Sequence, residues 1–213
     1  MDIMAISTPR NEAEKGLLSE QHKLRAKVFS GRLGWDVNVH CGKEKDRFDD
    51  LGPTYILAVM GHERVIGCAR LLPANGPTMI ADVFSCLLSG GTLPSGDTMI
   101  ESSRFCVDTT VETDRGPNTI NEITLSMFTG IIEWSIANGY KQIVTVTDLR
   151  FERILSRVDW PLQRIGLPKK IGVTTAVAGT LPADPAVFTK LRPENYRSMI
   201  AHPPLSNCPR SSL

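Results

Sequence analysis

The sequence predicts an α/β fold in a single domain, a mixed, twisted sheet with helices packed on it. Three observations carry that prediction. Two β-rich runs, TYILAVM and RVIGCARLLP, are joined by GHE, a hairpin signal. The strand-like runs TMIESSRFCVD and YKQIVTVT lie on either side of the long apolar-periodic stretch TINEITLSMFTGIIEWSIANG. A basic amphipathic stretch, DLRFERILSRV, is then followed by a late strand, KKIGVTTAVAGTLP. Strands before and after a long helix require a mixed sheet with that helix on one face. At 213 residues the chain can bury one sizeable core.

The elements follow in order. From about Glu14 to Phe29, Leu17, Leu24 and Val28 recur at helical spacing among charged positions, which predicts an amphipathic helix. The hairpin strands come next, then DVFSCLLSGG as a short helix stopped by paired glycines. In the long helix Ile120, Ile123, Met127 and Ile131 share a face, Asn118 or Thr119 is placed to cap it, and Gly139 ends it. The domain is expected to span residues 1–192. The tail, 193–213, closes on AHPPLSNCPRSSL, a composition that predicts flexibility.

Composition excludes several classes. Lysine and arginine number 24 against 23 acids, so no global field draws the chain to nucleic acid or membrane. No apolar run nears the roughly 20 residues of a membrane span. MDIMAISTPRNEAEKG lacks a secretory pattern, and five cysteines with no CxxC pair read as reduced thiols; both predict a cytoplasmic protein. There is no GxSxG, no GxxxxGK[ST] and no GxGxxG. The four histidines form no metal-ligand pair at helical spacing, and DRFDDLG lacks the register of a calcium loop. Neither metal nor cofactor is expected.

What remains is charge set inside apolar elements. Arg25 lies beside Val28 and Phe29, Arg70 ends a strand of Val, Ile, Cys, Ala and Leu, and Glu101 and Arg104 open the third strand. A buried lone charge costs several kcal/mol, so these side chains need partners, and the acids of GKEKDRFDD are suited to the task. Such acids suit either a cation-binding pocket or a network joining the N-terminal segment to the sheet.

HKLRAKVFSGRLGWDV, EKDRFDD, VIGCARLLP, MIADVFSCLL and IESSRFCVD, in this order and spacing, resemble the LuxI-type acyl-homoserine lactone synthases of quorum sensing. The likeness runs from about His22 to Asp108, then more loosely through VTVTDLRFERIL to the late strand near Gly179. Positions that family keeps correspond to Arg25, Phe29, Trp35, Asp46, Asp49, Arg70, Phe84, Glu101 and Arg104, and all are present. The resemblance implies a GNAT-like fold with a splayed, V-shaped cleft. It also implies two substrates, S-adenosylmethionine and an acyl thioester on acyl carrier protein, with acyl-coenzyme A as another donor. The amine is acylated and the lactone then closes.

On that reading Arg25, Phe29, Trp35, Asp46, Asp49 and Arg70 form the S-adenosylmethionine pocket, with Asp46 as the direct ligand and Asp49 and Arg70 behind it. Carboxylates suit its cationic groups, arginine its carboxylate, and aromatic faces its sulfonium and adenine. Glu101 is the candidate base, with Arg104 and Ser103 beside it, and backbone amides near Ser103 to Phe105 are candidate oxyanion donors. Phe105, Met127, Thr145 and Val146 are expected to line the acyl chain. The resemblance ties a threonine at position 145 to 3-oxo-acyl substrates. Arg150, Arg153, Arg157, Lys169 and Lys170 belong to a basic stretch suited to an acidic carrier. The alternatives are an N-acyltransferase using acyl-coenzyme A on another amine, and a ligand-sensing module without catalysis.

Overall fold

The computed structural model of the chain describes residues 1–93, 96–111 and 120–201. In chain order the elements are β1 (Asp2–Ile6), α1 (Glu12–Arg25), a π-helical turn (Ala26–Arg32), β2 (Val39–His40), β3 (Lys43–Glu44), a 3-10 turn (Arg47–Asp50), β4 (Thr54–Met60), β5 (Arg64–Pro73), α2 (Met79–Asp82), a second 3-10 turn (Ser85–Leu87) and β6 (Met99–Val107). Then come α3 (Glu122–Ala137), β7 (Gln142–Asp148), α4 (Leu149–Arg157), β8 (Gln163–Arg164), β9 (Lys169–Ile171), β10 (Thr174–Pro182) and α5 (Pro185–Leu191). Eight strands form one sheet in the order β1-β4-β5-β6-β7-β10-β8, with β9 also on β10. All its pairings are antiparallel except β6 with β7. The mixed α/β sheet read from the sequence is the one observed.

The parallel pairing decides the shape. β6 and β7 are bonded only where Met99, Ile100 and Glu101 meet Gln142, Ile143 and Val144. Both strands then run on, β6 to Val107 and β7 to Asp148, without pairing. The sheet therefore splits into a V past Glu101, and the backbone edge of β6 from Ser102 onward faces the split rather than a neighbour.

Two cores cover the two faces. On one, Ile3, Ile56, Ile66, Leu71, Ile100, Ile143 and Val177 pack against Ile123, Met127, Phe128 and Ile131 of α3. Helix α3 passes close over β1, because at Gly130 a Cβ would meet Ile3 Cγ2 at 2.5 Å. On the other, Leu17, Leu24, Val28 and Phe29 of the N-terminal helical segment pack on Tyr55, Leu57, Cys68 and Cys106. Beside them Ile80, Leu87 and Leu88 lie across Met99, Val144 and Ala178 and so span both arms of the V. That bridge is tight: Ser89 N donates to Ile165 O at 2.9 Å, and a Cβ on Gly166 would stand 1.9 Å from Leu87 O.

Several elements differ from expectation. The first helix loses α geometry at Ala26, where a π turn begins, closed by Leu33 N donating to Val28 O. The short helix starts earlier than DVFSCLL: Thr78 caps α2, the Ser85–Leu87 turn follows, and Gly90 and Gly91 take φ of 88° and 76°. The cap of α3 is Asn121, accepting from Ile123 N; Asn118 and Thr119 lie outside the described residues. The late strand is two strands, β9 and β10, folded back at Gly172 with φ 57°. Within the tail expected to be flexible from 193, the segment Arg197–Met199 lies along β1. Ile3 N donates to Arg197 O at 2.8 Å, Met199 N to Ile3 O at 2.7 Å, and Ile200 is buried. Residues 202–213 lie outside the described residues.

Candidate active site

The acidic stretch is shaped by two turns. Cys41 and Gly42, with φ of 50° and 73°, make a two-residue turn that brings β3 back on β2. Asp46 and Asp49 then form a capping box over Arg47–Asp50, since Phe48 N donates to Asp46 and Asp46 N to Asp49. Glu44, Asp46 and Asp49 are thereby turned toward Arg25 at the end of α1 and Arg70 and Arg104 in the sheet.

The result is a lattice of three carboxylates and three guanidiniums. Arg25 is fully buried and donates to Glu44 Oε2 at 2.5 Å and to both oxygens of Asp49 at 2.7 and 2.9 Å. Arg70, also fully buried, donates to Asp46 at 2.5 and 3.1 Å, to Asp49 Oδ1 at 2.9 Å and to Ser103 Oγ at 3.2 Å. Arg104 donates through Nε to Glu44 Oε1 at 3.1 Å and pairs through Nη2 with Asp46 Oδ2 at 2.8 Å. The Tyr55 hydroxyl donates to Asp49 Oδ1 at 2.7 Å, and His22 Nδ1 lies 2.9 Å from Glu44 O. Burial by itself would raise the Asp49 carboxyl, but the hydrogen bonds and charges of Arg25 and Arg70 hold it well below the usual range. Of the three carboxylates and three guanidiniums, only Asp46 and Arg104 keep exposed side-chain surface, 17% and 12%. The acids therefore face arginines, and a solvent-facing ion pair marks the rim.

Strand β6 is distorted at this rim. Cys68 pairs with Cys106 and Arg70 with Ser103, so Ala69 stands opposite both Arg104 and Phe105. This is a β-bulge, and its first residue, Arg104, takes φ 54°. A non-glycine residue in that region costs energy and occurs where surrounding contacts enforce it. Here the contacts are Glu44, Asp46 and the Phe29 ring, over which the Arg104 guanidinium lies at 5.5 Å. The bulge sets Ser103 and Arg104 side by side on one face, where regular alternation would separate them. Phe29 is stacked on Trp35 at 5.3 Å with planes 9° apart.

Glu101 takes neither Arg104 nor Arg70 as a direct partner. Its carboxylate is buried and accepts from Met79 N at 3.1 Å and Ile80 N at 2.6 Å, at the start of α2. Burial pushes the Glu101 carboxyl up, and those two amides, with the charge of Arg70, only partly oppose it. Phe84 is half-buried against Phe48, Leu72 and Met79.

The expected acyl-lining residues divide between faces. Met127 is buried with Phe128, and Phe105 packs at 5.3 Å from Phe128 and 5.0 Å from Phe151 on the α3 side. Thr145 follows Ile143 on that side, its hydroxyl only 3.5 Å from Val146 O. Val146 lies on the opposite face, with Phe84 and Leu88. Arg150, Arg153, Arg157, Lys169 and Lys170 are all exposed, as is Arg164, which binds Glu152 bidentately. Register places Asp148, Ala176 and Lys169 in one row, with Arg150 just beyond. That row crosses the sheet where β7 ends, at the open mouth of the V.

Sequence reasoning missed Glu44, Tyr55 and His22 as individual members of the lattice. Charge balance carried a signal for the first: three embedded arginines against Asp46 and Asp49 leave one guanidinium needing a third carboxylate.

The autoinducer synthase family profile matches residues 10–191. Among curated proteins, the chain is 66% identical over 200 residues to one of Sinorhizobium fredii named a probable acyl-homoserine-lactone synthase, covering 94% of this chain and 96% of that one. It is 53% identical over 201 residues to the acyl-homoserine-lactone synthase of Rhizobium radiobacter, covering 94% and 95%. The crystal structure of the AHL synthase LasI aligns with TM-score 0.74 at 33% identity, over 89% of this chain and 94% of that one. The acyl-homoserine lactone synthase BjaI aligns with TM-score 0.82 over 95% and 94%; at 22% identity this likeness speaks to the fold.

Proposed function

The chain belongs to the autoinducer synthase family and is an acyl-homoserine-lactone synthase, and from that premise we propose that it joins a fatty-acyl thioester to S-adenosylmethionine. The acyl group passes to the amine, the lactone closes, and methylthioadenosine and free carrier leave. Neither cofactor nor metal takes part. The structure of BjaI was obtained with S-adenosylmethionine and isopentyl-CoA, and that of TofI with an inhibitor and methylthioadenosine. Family membership sets aside the ligand-sensing and other-amine alternatives.

The observation that carries the reading is the split between β6 and β7 with the ion-pair rim at its edge. The zwitterionic amino-acid end of S-adenosylmethionine matches that rim: its carboxylate goes to Arg104 and its ammonium to Asp46. Phe29 and Trp35 offer aromatic faces to the sulfonium and adenine. Arg25, Asp49 and Arg70 act from behind, because they have no exposed surface.

Acylation needs a neutral amine. Glu101, its proton affinity raised by burial, takes the proton through one water while the Met79 and Ile80 amides hold the carboxylate in place. The thioester oxygen turns negative in the transition state and is met by β6 amides beyond Ser102, which β7 leaves unpaired. Lactone closure then needs the carboxylate held in line with the carbon bearing the departing neutral thioether. The acyl chain lies on the α3 side, against Phe105, Phe128 and Phe151, with Thr145 placed to meet a 3-oxo group.

Acyl carrier protein is the donor we favour, since exposed bases rim the mouth of the V and carriers are acidic. The substrates put the reaction in the cytoplasm. The test is purified enzyme with S-adenosylmethionine and matched acyl-carrier and acyl-coenzyme A donors, unsubstituted and 3-oxo. Homoserine lactone and methylthioadenosine are followed by mass spectrometry. Equimolar appearance of both, faster from carrier than coenzyme A, is expected. Faster turnover of coenzyme A thioesters refutes the donor assignment, and equal turnover of 3-oxo and unsubstituted chains refutes the role of Thr145.

A further inference from the structure

If the substrate ammonium engages Asp46, Arg104 loses the carboxylate it holds at 2.8 Å. Arg104 also sits at φ 54° in the bulge, a backbone state that persists only where the surrounding contacts enforce it. One protein carboxylate then remains on its guanidinium, that of Glu44.

Glu44 is built for that duty. Its carboxylate has no exposed surface, and its two oxygens are divided between two arginines: Oε2 takes Arg25 Nε at 2.5 Å, Oε1 takes Arg104 Nε at 3.1 Å. Its backbone carbonyl lies 2.9 Å from His22 Nδ1 on α1, and the Cys41–Gly42 turn fixes its strand. Arg25 is enclosed and cannot touch a ligand, yet its bond to Oε2 fixes the orientation of the shared carboxylate. Asp49 lies too far behind to replace it, being bound to Arg25, Arg70 and Tyr55.

We propose that Glu44 is a positioning residue for substrate selection, holding Arg104 aimed at the amino-acid carboxylate while Asp46 turns to the ammonium. The inference rests on the substrate reading above and adds to it a residue which that reading leaves without a role. A glutamine cannot substitute, because its amide offers one acceptor and sets a donor against the other guanidinium.

The test is calorimetric titration of S-adenosylmethionine into wild type and Glu44→Gln, with KM measured for both substrates. Loss of a charge-assisted contact predicts about 10-fold or greater weakening for S-adenosylmethionine. The KM for the acyl donor should stay within about 2-fold of wild type, because that substrate makes no use of Arg104. In an Arg104→Lys background, Glu44→Gln should change the affinity by less than about 2-fold, since the pathway is already cut. Should Glu44→Gln fail to fold, Glu44→Asp keeps the charge but, one methylene short, reaches only one arginine; about 3-fold weaker binding is expected. Unchanged S-adenosylmethionine affinity in the folded variants, equal rises in both KM values, or an undiminished effect in the Arg104→Lys background each overturns the proposal. Wild type that binds no S-adenosylmethionine removes instead the substrate reading beneath it.

Discussion

Replacing Asp49 with Asn should be among the most damaging isosteric changes in the chain. One fully buried carboxylate accepts from five donors: Arg25 Nη1, Arg70 Nη1 and the Tyr55 hydroxyl on Oδ1, and Arg25 Nη2 and Asp46 N on Oδ2. The amide keeps the Oδ1 acceptor but turns a donor toward Arg25 Nη2 and Asp46 N. It also leaves two buried guanidiniums with one fewer anion. Breaking a buried pair from one side costs about 3–5 kcal/mol. For a chain of this size each kcal/mol moves Tm by about 2–4 °C, so a drop of about 6–20 °C is expected. The assay is calorimetric or circular-dichroism melting of both proteins across pH. Folding holds the Asp49 carboxyl below its ordinary value, so its stabilisation is fully present above about pH 4 and fades as pH falls. The gap between wild type and variant should therefore be widest near neutrality and shrink toward acid. A Tm loss under about 3 °C at pH 7, or a gap that does not narrow in acid, would refute the lattice as the clasp between the N-terminal segment and the sheet.

Glu101→Gln keeps an acceptor for one of the two α2 amides and sets its NH2 against the other, so its Tm is measured alongside its activity; the folded variant should lower kcat by about 10²-fold or more. Because burial raises the Glu101 carboxyl, the acid limb of kcat/KM should lie above the ordinary glutamate value and vanish in the variant; wild-type turnover would pass the base role elsewhere. Charge reversal at Arg150 and Arg153 should raise KM for carrier-borne acyl groups at low salt and leave that for S-adenosylmethionine unchanged, with the difference closing at high salt; equal effects on both would end the docking assignment. Gly130→Ala should cost about 1–3 kcal/mol by forcing α3 off Ile3, measurable by urea denaturation; an unchanged midpoint would contradict the packing.

How much of this was legible in the sequence depended on where each signal lay. The β4–β5 hairpin and β6 were readable because apolar runs and turn residues are local, and α4 because DLRFERILSRV is amphipathic. β1 was not, since its order comes from β4 and from the segment at Arg197, both distant in sequence. The second hairpin hid because Cys41, neither Gly nor Asn, takes one of its two positive-φ positions. Embedded charges announced a network, and Arg25, Arg70, Arg104, Asp46 and Asp49 do converge. Their order from buried to exposed, and the contact of Glu101 with α2, needed coordinates. Val146 illustrates the limit of listing neighbours on a strand: adjacent to Thr145 in sequence, it points to the other face.

Gly166 carries a last consequence. With Leu87 O where its Cβ would be and Ile165 bonded to Ser89, the two arms of the sheet are pinned together on the side away from α3. A gap set by so close a contact gauges what enters by length and breadth, as a caliper does, and any side chain at position 166 would reset the gauge by prising the arms apart.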